Sequence, residues 1–199
     1  MLESLKNLDT ELLLFFNHLN NPFLDFIFYW FSDKWFWIPF YCFLAWSVYR
    51  FDKTHFFVVI IFIAAAIAVS DQISSSVIKE NVMRLRPCHD PAIASKVHLV
   101  MDYCGGQYGF VSSHAANVFT LATFITRLFA GKNYSLRRII WIWAIVVSFS
   151  RIYLGAHFPG DVICGALLGL VVGNITERIY TIAINRFQKF KKRDEEAAA

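Results

Sequence analysis

Residues 55–81, HFFVVIIFIAAAIAVSDQISSSVIKEN, decide the fold. No charged side chain occurs from Phe56 to Val69, and with the residues that follow, up to 78, the run has the length of roughly 20 residues that a helix needs to cross a hydrocarbon core. It closes on a polar stretch, Ser70 to Ser76, and then Lys79. We read 55–78 as a transmembrane helix with polar groups gathered at its end. Four further stretches read the same way: 35–50, 113–130, 137–154 and about 159–183. The expectation is an all-α integral membrane protein, a bundle of five to six transmembrane helices.

Composition agrees. Hydrophobic residues make up 57% of the chain and charged residues 17%, against about 25% charged in soluble domains. The span pattern predicts one membrane domain over residues 1–187. Its N-terminal segment, 1–33, reads as interfacial: Leu5, Leu8, Leu12, Phe15 and Phe16 recur at helical spacing with acids between them, as in a helix lying on a membrane surface. Asn20, Asn21 and Pro22 break that helix, and 23–32 is too short to span. MLESLKNLDTELL has no signal-peptide pattern, so insertion would begin at the first internal apolar helix. Residues 188–199 are expected to be a disordered basic tail.

The position of the charges says more than the net charge of +4. Arg127, Lys132, Arg137 and Arg138 flank one short gap, Arg50 and Lys53 another, and Arg186 to Arg193 crowd the end of the chain. Because these runs border apolar spans, they read as cytoplasmic loops under the positive-inside rule rather than as a nucleic-acid surface. The far ends of the spans then meet on the non-cytoplasmic face.

That face collects the chemistry. Lys79, Arg84 and Arg86 precede Pro87; seven residues apart, Lys79 and Arg86 would share a helical face, and Pro87 would stop the helix at Arg86. Ser112 and Ser113 are N-cap material for the span that follows, and a helix N-terminus binds phosphate. His114 beside them can donate a proton. Ser150 and Arg151 end the next span. His157 stands four residues before Asp161, a carboxylate placed to fix the imidazole tautomer and free the other nitrogen for attack. Taken singly, each motif has a plain structural reading: snorkelling cations, a helix cap, an interfacial ion pair. Converging cations and N–H donors imply a polyoxygen anion, and two histidines with a carboxylate imply group transfer.

These residues resemble the type 2 phosphatidic acid phosphatase (PAP2) superfamily, marked by K-x6-RP, PSGH and SR-x5-H-x3-D. Lys79 to Arg86–Pro87 matches the first motif and Ser150–Arg151, His157 and Asp161 the third. The second is Val111–Ser112–Ser113–His114, with Val for Pro and Ser for Gly. The resemblance implies an α-helical membrane phosphatase that acts on a lipid phosphate or pyrophosphate without metal or other cofactor. His157 would attack phosphorus, Asp161 orient it and His114 protonate the leaving oxygen. Lys79, Arg86, Arg151, Ser112 and the Ser113 amide would hold the phosphoryl oxygens. The opening FFNHLNNPFLDFIFYWFSDKW, residues 15–35, resembles bacterial undecaprenyl-pyrophosphate phosphatases of this superfamily. Lipid A, phosphatidylglycerophosphate and phosphatidic acid stand as alternative substrates. The implied location is the bacterial inner membrane, with the site outside and the C-terminus inside.

Cys42 and Cys164 lie within apolar spans. Cys88 and Cys104 lie in the long connection 88–111 on the oxidising side, where a Cys88–Cys104 disulfide is expected. A metal site with His89 and His98 is the rival, but the spacing fits no strong zinc pattern. The competing functional class is a non-enzymatic lipid-binding or transport protein, which would carry charges at mid-span; here they gather at span ends.

Overall fold

The computed structural model describes residues 2–102 and 104–197, and among them no strand occurs. Seven long helices frame the described residues: α1 Leu2–Asn17, α2 Pro22–Ser32, α3 Ile38–Phe51, α4 Phe56–Val82, α5 Ser113–Leu128, α6 Tyr134–Tyr153 and α7 Pro159–Ala197; short 3-10 turns lie in the connection between α4 and α5. By length and composition two of them, α4 and α7, can cross a membrane. The all-helical expectation is met; a count of five to six spans is not established by these helices.

The central pair is α5 and α7, packed parallel. Gly165, Gly169 and Gly173 recur every fourth residue on one face of α7, and a Cβ at any of them would run into a carbonyl of the opposing chain: Ser112, Ala116 and Thr120 in turn. Small residues at this spacing let two backbones approach directly, the packing mode available where no hydrophobic drive separates helix from lipid. Ile163, Leu167, Val171, Ile175, Ile179 and Ile182 on the outer face of α7 are more than half exposed, a ladder of β-branched and leucine side chains suited to lipid contact. The core lies between α3, α4, α5 and α6, where Val48, Val59, Phe124, Ile140 and Trp143 are buried.

α4 is not uniform. It carries a π-helical stretch at Ile73–Ile78 and ends at Val82, where Met83 takes a left-handed conformation (φ 51°). The chain then runs extended and pairs antiparallel with the connection: Arg86 N donates to Gln107 O at 3.0 Å and Gly109 N to Arg84 O at 2.8 Å. This corrects the expectation that the helix reaches Arg86. Pro87 constrains only its immediate predecessor, and the left-handed turn at Met83 ends the helix four residues earlier.

The N-terminal helices brace the connection. Buried Asn17 donates to the carbonyls of His98 (2.9 Å) and Tyr153 (2.7 Å) and accepts from His98 N (2.8 Å). Asp25 accepts from Tyr153 Oη at 2.7 Å and meets His98 Nε2 at 2.9 Å. Leu5, Leu8, Leu12 and Phe15 point outward from α1, while Asp9, Leu13 and Asn17 point inward. Cys88 and Cys104 form a disulfide with Cα atoms 6.0 Å apart. Their sulfurs are thereby unavailable as the thiolates that a metal site with neighbouring His89 would need.

Residues 188–197, expected to be disordered, continue α7. Strong helix formers and the spaced pairs Lys191–Glu195 (3.9 Å) and Lys192–Glu196 (3.8 Å) favour helix there although the segment is exposed.

Candidate active site

The parallel α5–α7 pair brings two helix N-termini to one end of the bundle. Ser112 caps α5, its hydroxyl accepting from Ala115 N at 3.4 Å, and its own N–H donates to Asp161 O at 3.0 Å. Ser113 takes the place of the glycine of the related motif, and its hydroxyl has a use a glycine could not supply. Lys79 Nζ donates to it at 2.9 Å and Ser74 Oγ donates to it at 2.9 Å. Lys79 on α4 is thus tied to the start of α5.

Arg84 and Arg86 reach the same place because the chain carrying them is extended. Residues two apart on extended backbone project to one side. Arg86 Nη1 lies 3.4 Å from His157 Nε2 and donates to Ala156 O at 3.3 Å, and Arg86 Nε donates to Tyr108 O at 3.2 Å. Arg84 Nη1 donates to Asp161 Oδ1 at 2.7 Å. A helix continued to Arg86 would rotate Arg84 off the face that Lys79 and Arg86 share; on the extended chain Arg84 lies on the same side as Arg86.

His157 sits in the turn between α6 and α7 and is fully enclosed, 1% exposed. Arg86 can only donate, so Nε2 is the accepting nitrogen and Nδ1 carries the proton. Nδ1 faces Asp161 Oδ2 at 3.6 Å, longer than a hydrogen bond; that oxygen accepts from Phe158 N at 3.1 Å. Asp161 therefore acts on the imidazole here through its charge. Burial, then the positive charges of Arg86, Arg151 and Lys79, hold the His157 pKa well below the usual histidine value, so the ring is neutral. Gly109 passes close by: a Cβ there would lie 3.1 Å from Asp161 Oδ2 and 3.2 Å from Arg86 Cγ.

Arg151, 6% exposed, is held from two sides: its carbonyl accepts from Ala156 N and His157 N, both at 3.1 Å, and its guanidinium donates to Ser32 Oγ at the end of α2. His114 is exposed, and its side chain opens with Ser113 into a cavity of about 630 Å³. The cavity runs from a polar end, formed by Ser32, Lys34, Asp71, Ser113, His114 and Asn117, into apolar walls that include Tyr41, Leu44, Val48, Ile63 and Leu121. Lys79, Arg86, Ser112, Ser113, Arg151, His157 and Asp161 thus gather at one end of the bundle, with His114 at the mouth of the cavity. Asp9, Ser32, Lys34, Asp71 and Asn117 were not anticipated. A carboxylate at the polar end of an apolar span, Asp71, is itself a signal of function; it accepts from Asn117 Nδ2 at 3.0 Å. Asp9 has no such signal, since acids are ordinary on an amphipathic helix.

The PAP2 superfamily model matches residues 55–184. The chain belongs to the PAP2 superfamily. This PAP2 protein is a membrane lipid phosphatase, a hydrolase of phosphate esters. It is 39% identical to a lipid A 4'-phosphatase of Bacteroides thetaiotaomicron over 171 residues, 85% of this chain and 75% of that protein. It is 35% identical to a lipid A 4'-phosphatase of Porphyromonas gingivalis over 190 residues, 94% of this chain and 78% of that protein. The crystal structure of Aquifex aeolicus LpxE superposes with a TM-score of 0.62 at 26% identity, covering 86% of this chain and 95% of that one.

Proposed function

We propose that this PAP2 phosphatase removes the 4'-phosphate of lipid A. The observation that carries the reading is the likeness to two lipid A 4'-phosphatases over 85% and 94% of the chain. The undecaprenyl pyrophosphate expectation rested on the shortness of the chain and its opening segment, and gives way to this longer likeness. The cavity beside His114 supports a lipid substrate: its apolar walls suit a hydrocarbon chain, and its polar end, with Asp71, Asn117 and Lys34, suits a hydroxyl- and amide-rich headgroup.

The chemistry follows in two steps. His157 Nε2 attacks phosphorus in line with the leaving oxygen, the P–O ester bond breaks, and His114 gives that oxygen a proton. Neutral His114 then takes a proton from water, the water oxygen attacks the phosphohistidine, the P–N bond breaks, and inorganic phosphate leaves. Lys79, Arg86, Arg151 and the α5 N-terminus hold the three phosphoryl oxygens through both steps. Asp161 stabilises the positive charge that the imidazole acquires when phosphorylated. No step uses a metal. Residues 1–187 act as a single domain in the bacterial inner membrane, with α3, α5 and α6 also crossing, the site outside and the C-terminus inside.

Phosphate release by purified protein tests this, with EDTA present. The panel is lipid A, phosphatidylglycerophosphate, phosphatidic acid and undecaprenyl pyrophosphate, and His157→Ala is the blank. Lipid A should have the highest kcat/KM and lose the 4'-phosphate. Faster turnover of any other member overturns the substrate, and loss of activity in EDTA overturns the mechanism.

A further inference from the structure

The guanidinium of Arg84 lies between two carboxylates from opposite ends of the chain. Its Nη1 donates to Asp161 Oδ1 at 2.7 Å and its Nη2 to Asp9 Oδ2 at 2.7 Å. The plane of the group packs on the Phe158 ring, 4.0 Å from its centroid. The second oxygen of Asp9 accepts from Gly160 N at 2.7 Å, at the first turn of α7. Gly160 is needed for that approach, because a Cβ there would come within 2.9 Å of Asp9 Oδ2. Asp161 is fully buried, Asp9 and Arg84 largely so.

We propose that Asp9 of α1 is a positioning residue for the nucleophile, acting through Arg84 on the carboxylate that faces His157. With Asp9 in place, the charge of Arg84 is shared between two carboxylates, and Asp161 keeps negative charge for the imidazole. Without Asp9, Arg84 pairs with Asp161 alone. It then offsets the charge that phosphohistidine needs and is free to draw the carboxylate away from Nδ1. The amphipathic N-terminal helix is on this account part of the catalytic assembly.

The inference rests on the phosphohistidine reading, but not on the leaving group, so kcat and KM are measured on lipid A and on phosphatidic acid in detergent micelles. If wild type releases phosphate from neither, the functional reading fails; if it turns over either one, Asp9 is tested on that substrate. Asp9→Asn should lower kcat on the order of 10–100-fold, the scale for a displaced reacting group, with KM within about two-fold. Asp9→Glu should recover most of the loss. Asp9→Asn combined with Arg84→Gln should be no slower than Arg84→Gln alone. Gly160→Ala, which crowds Asp9 from the other side, should reproduce the loss if Asp9→Asn does not fold. An unchanged kcat in Asp9→Asn or, failing that, in Gly160→Ala overturns the inference, as does an effect on KM alone or losses that multiply in the double variant.

Discussion

Arg86 Nη1 and His157 Nε2 stand 3.4 Å apart across 71 residues of sequence. A cation that can only donate, placed against Nε2, requires that nitrogen to be the unprotonated one.

Removing the two imidazoles should have different kinetic signatures. His157→Ala should leave no turnover and no phosphorylated protein in samples quenched in alkaline detergent, where a P–N bond survives. His114→Ala should slow lipid release by about 10²–10⁴-fold, the range for a general acid, while a substrate with a good leaving group, such as a nitrophenyl phosphate, loses much less. Equal losses on both substrates would remove His114 from the acid role.

The pH dependence follows from the depressed His157 pKa. The free-enzyme acid limb of kcat/KM assigned to this group should lie below the usual histidine value of about 6.5, since burial and then Arg86, Arg151 and Lys79 oppose protonation. Arg86→Gln removes one of those charges and should move the limb upward. Linkage gives the sign for stability: below about 6.5 the unfolded chain takes up a proton that folded His157 refuses, so this group's contribution is present above that pH and lost as pH falls. A rising melting temperature on acidification from pH 7 to 5 would contradict it.

Reducing the Cys88–Cys104 disulfide should destabilise the connection. A closed loop of this size, with a sequence separation of 16, contributes about 3 kcal/mol in the chain-entropy model. The double variant Cys88→Ser, Cys104→Ser should melt lower in detergent and be indifferent to reductant. Wild type in reductant should approach its melting temperature.

Gly169→Ala should damage the bundle more than a helix-propensity view suggests. Alanine is the better helix former by about 1 kcal/mol, yet its methyl would meet Ala116 O and Phe119 Cβ on α5. Overpacking of about 1–3 kcal/mol should dominate, read as a lower melting temperature. Gly131→Ala tests the opposite case: nothing lies near a Cβ there, and only its positive φ of 73° opposes the change.

The sequence alone determined the helical membrane class, the family resemblance and the residues of the motifs, because each is a local signal. An apolar run of spanning length, a capping serine, and a histidine four residues before an aspartate are all legible without neighbours. Their assembly at one end also followed, because alternating basic loops leave only one face for the polar span ends. Tertiary structure decided the rest. Whether Lys79 and Arg86 shared a helix depended on the turn at Met83, and the extended chain beyond it turned Arg84 from a bystander into the partner of Asp161. Ser113 reads as a departure from the glycine of the motif until Lys79 is seen bonded to it. Asp9 carries no local mark at all. Its importance comes only from the packing of α1 against the first turn of α7, and long-range packing of that kind leaves no periodicity in the chain.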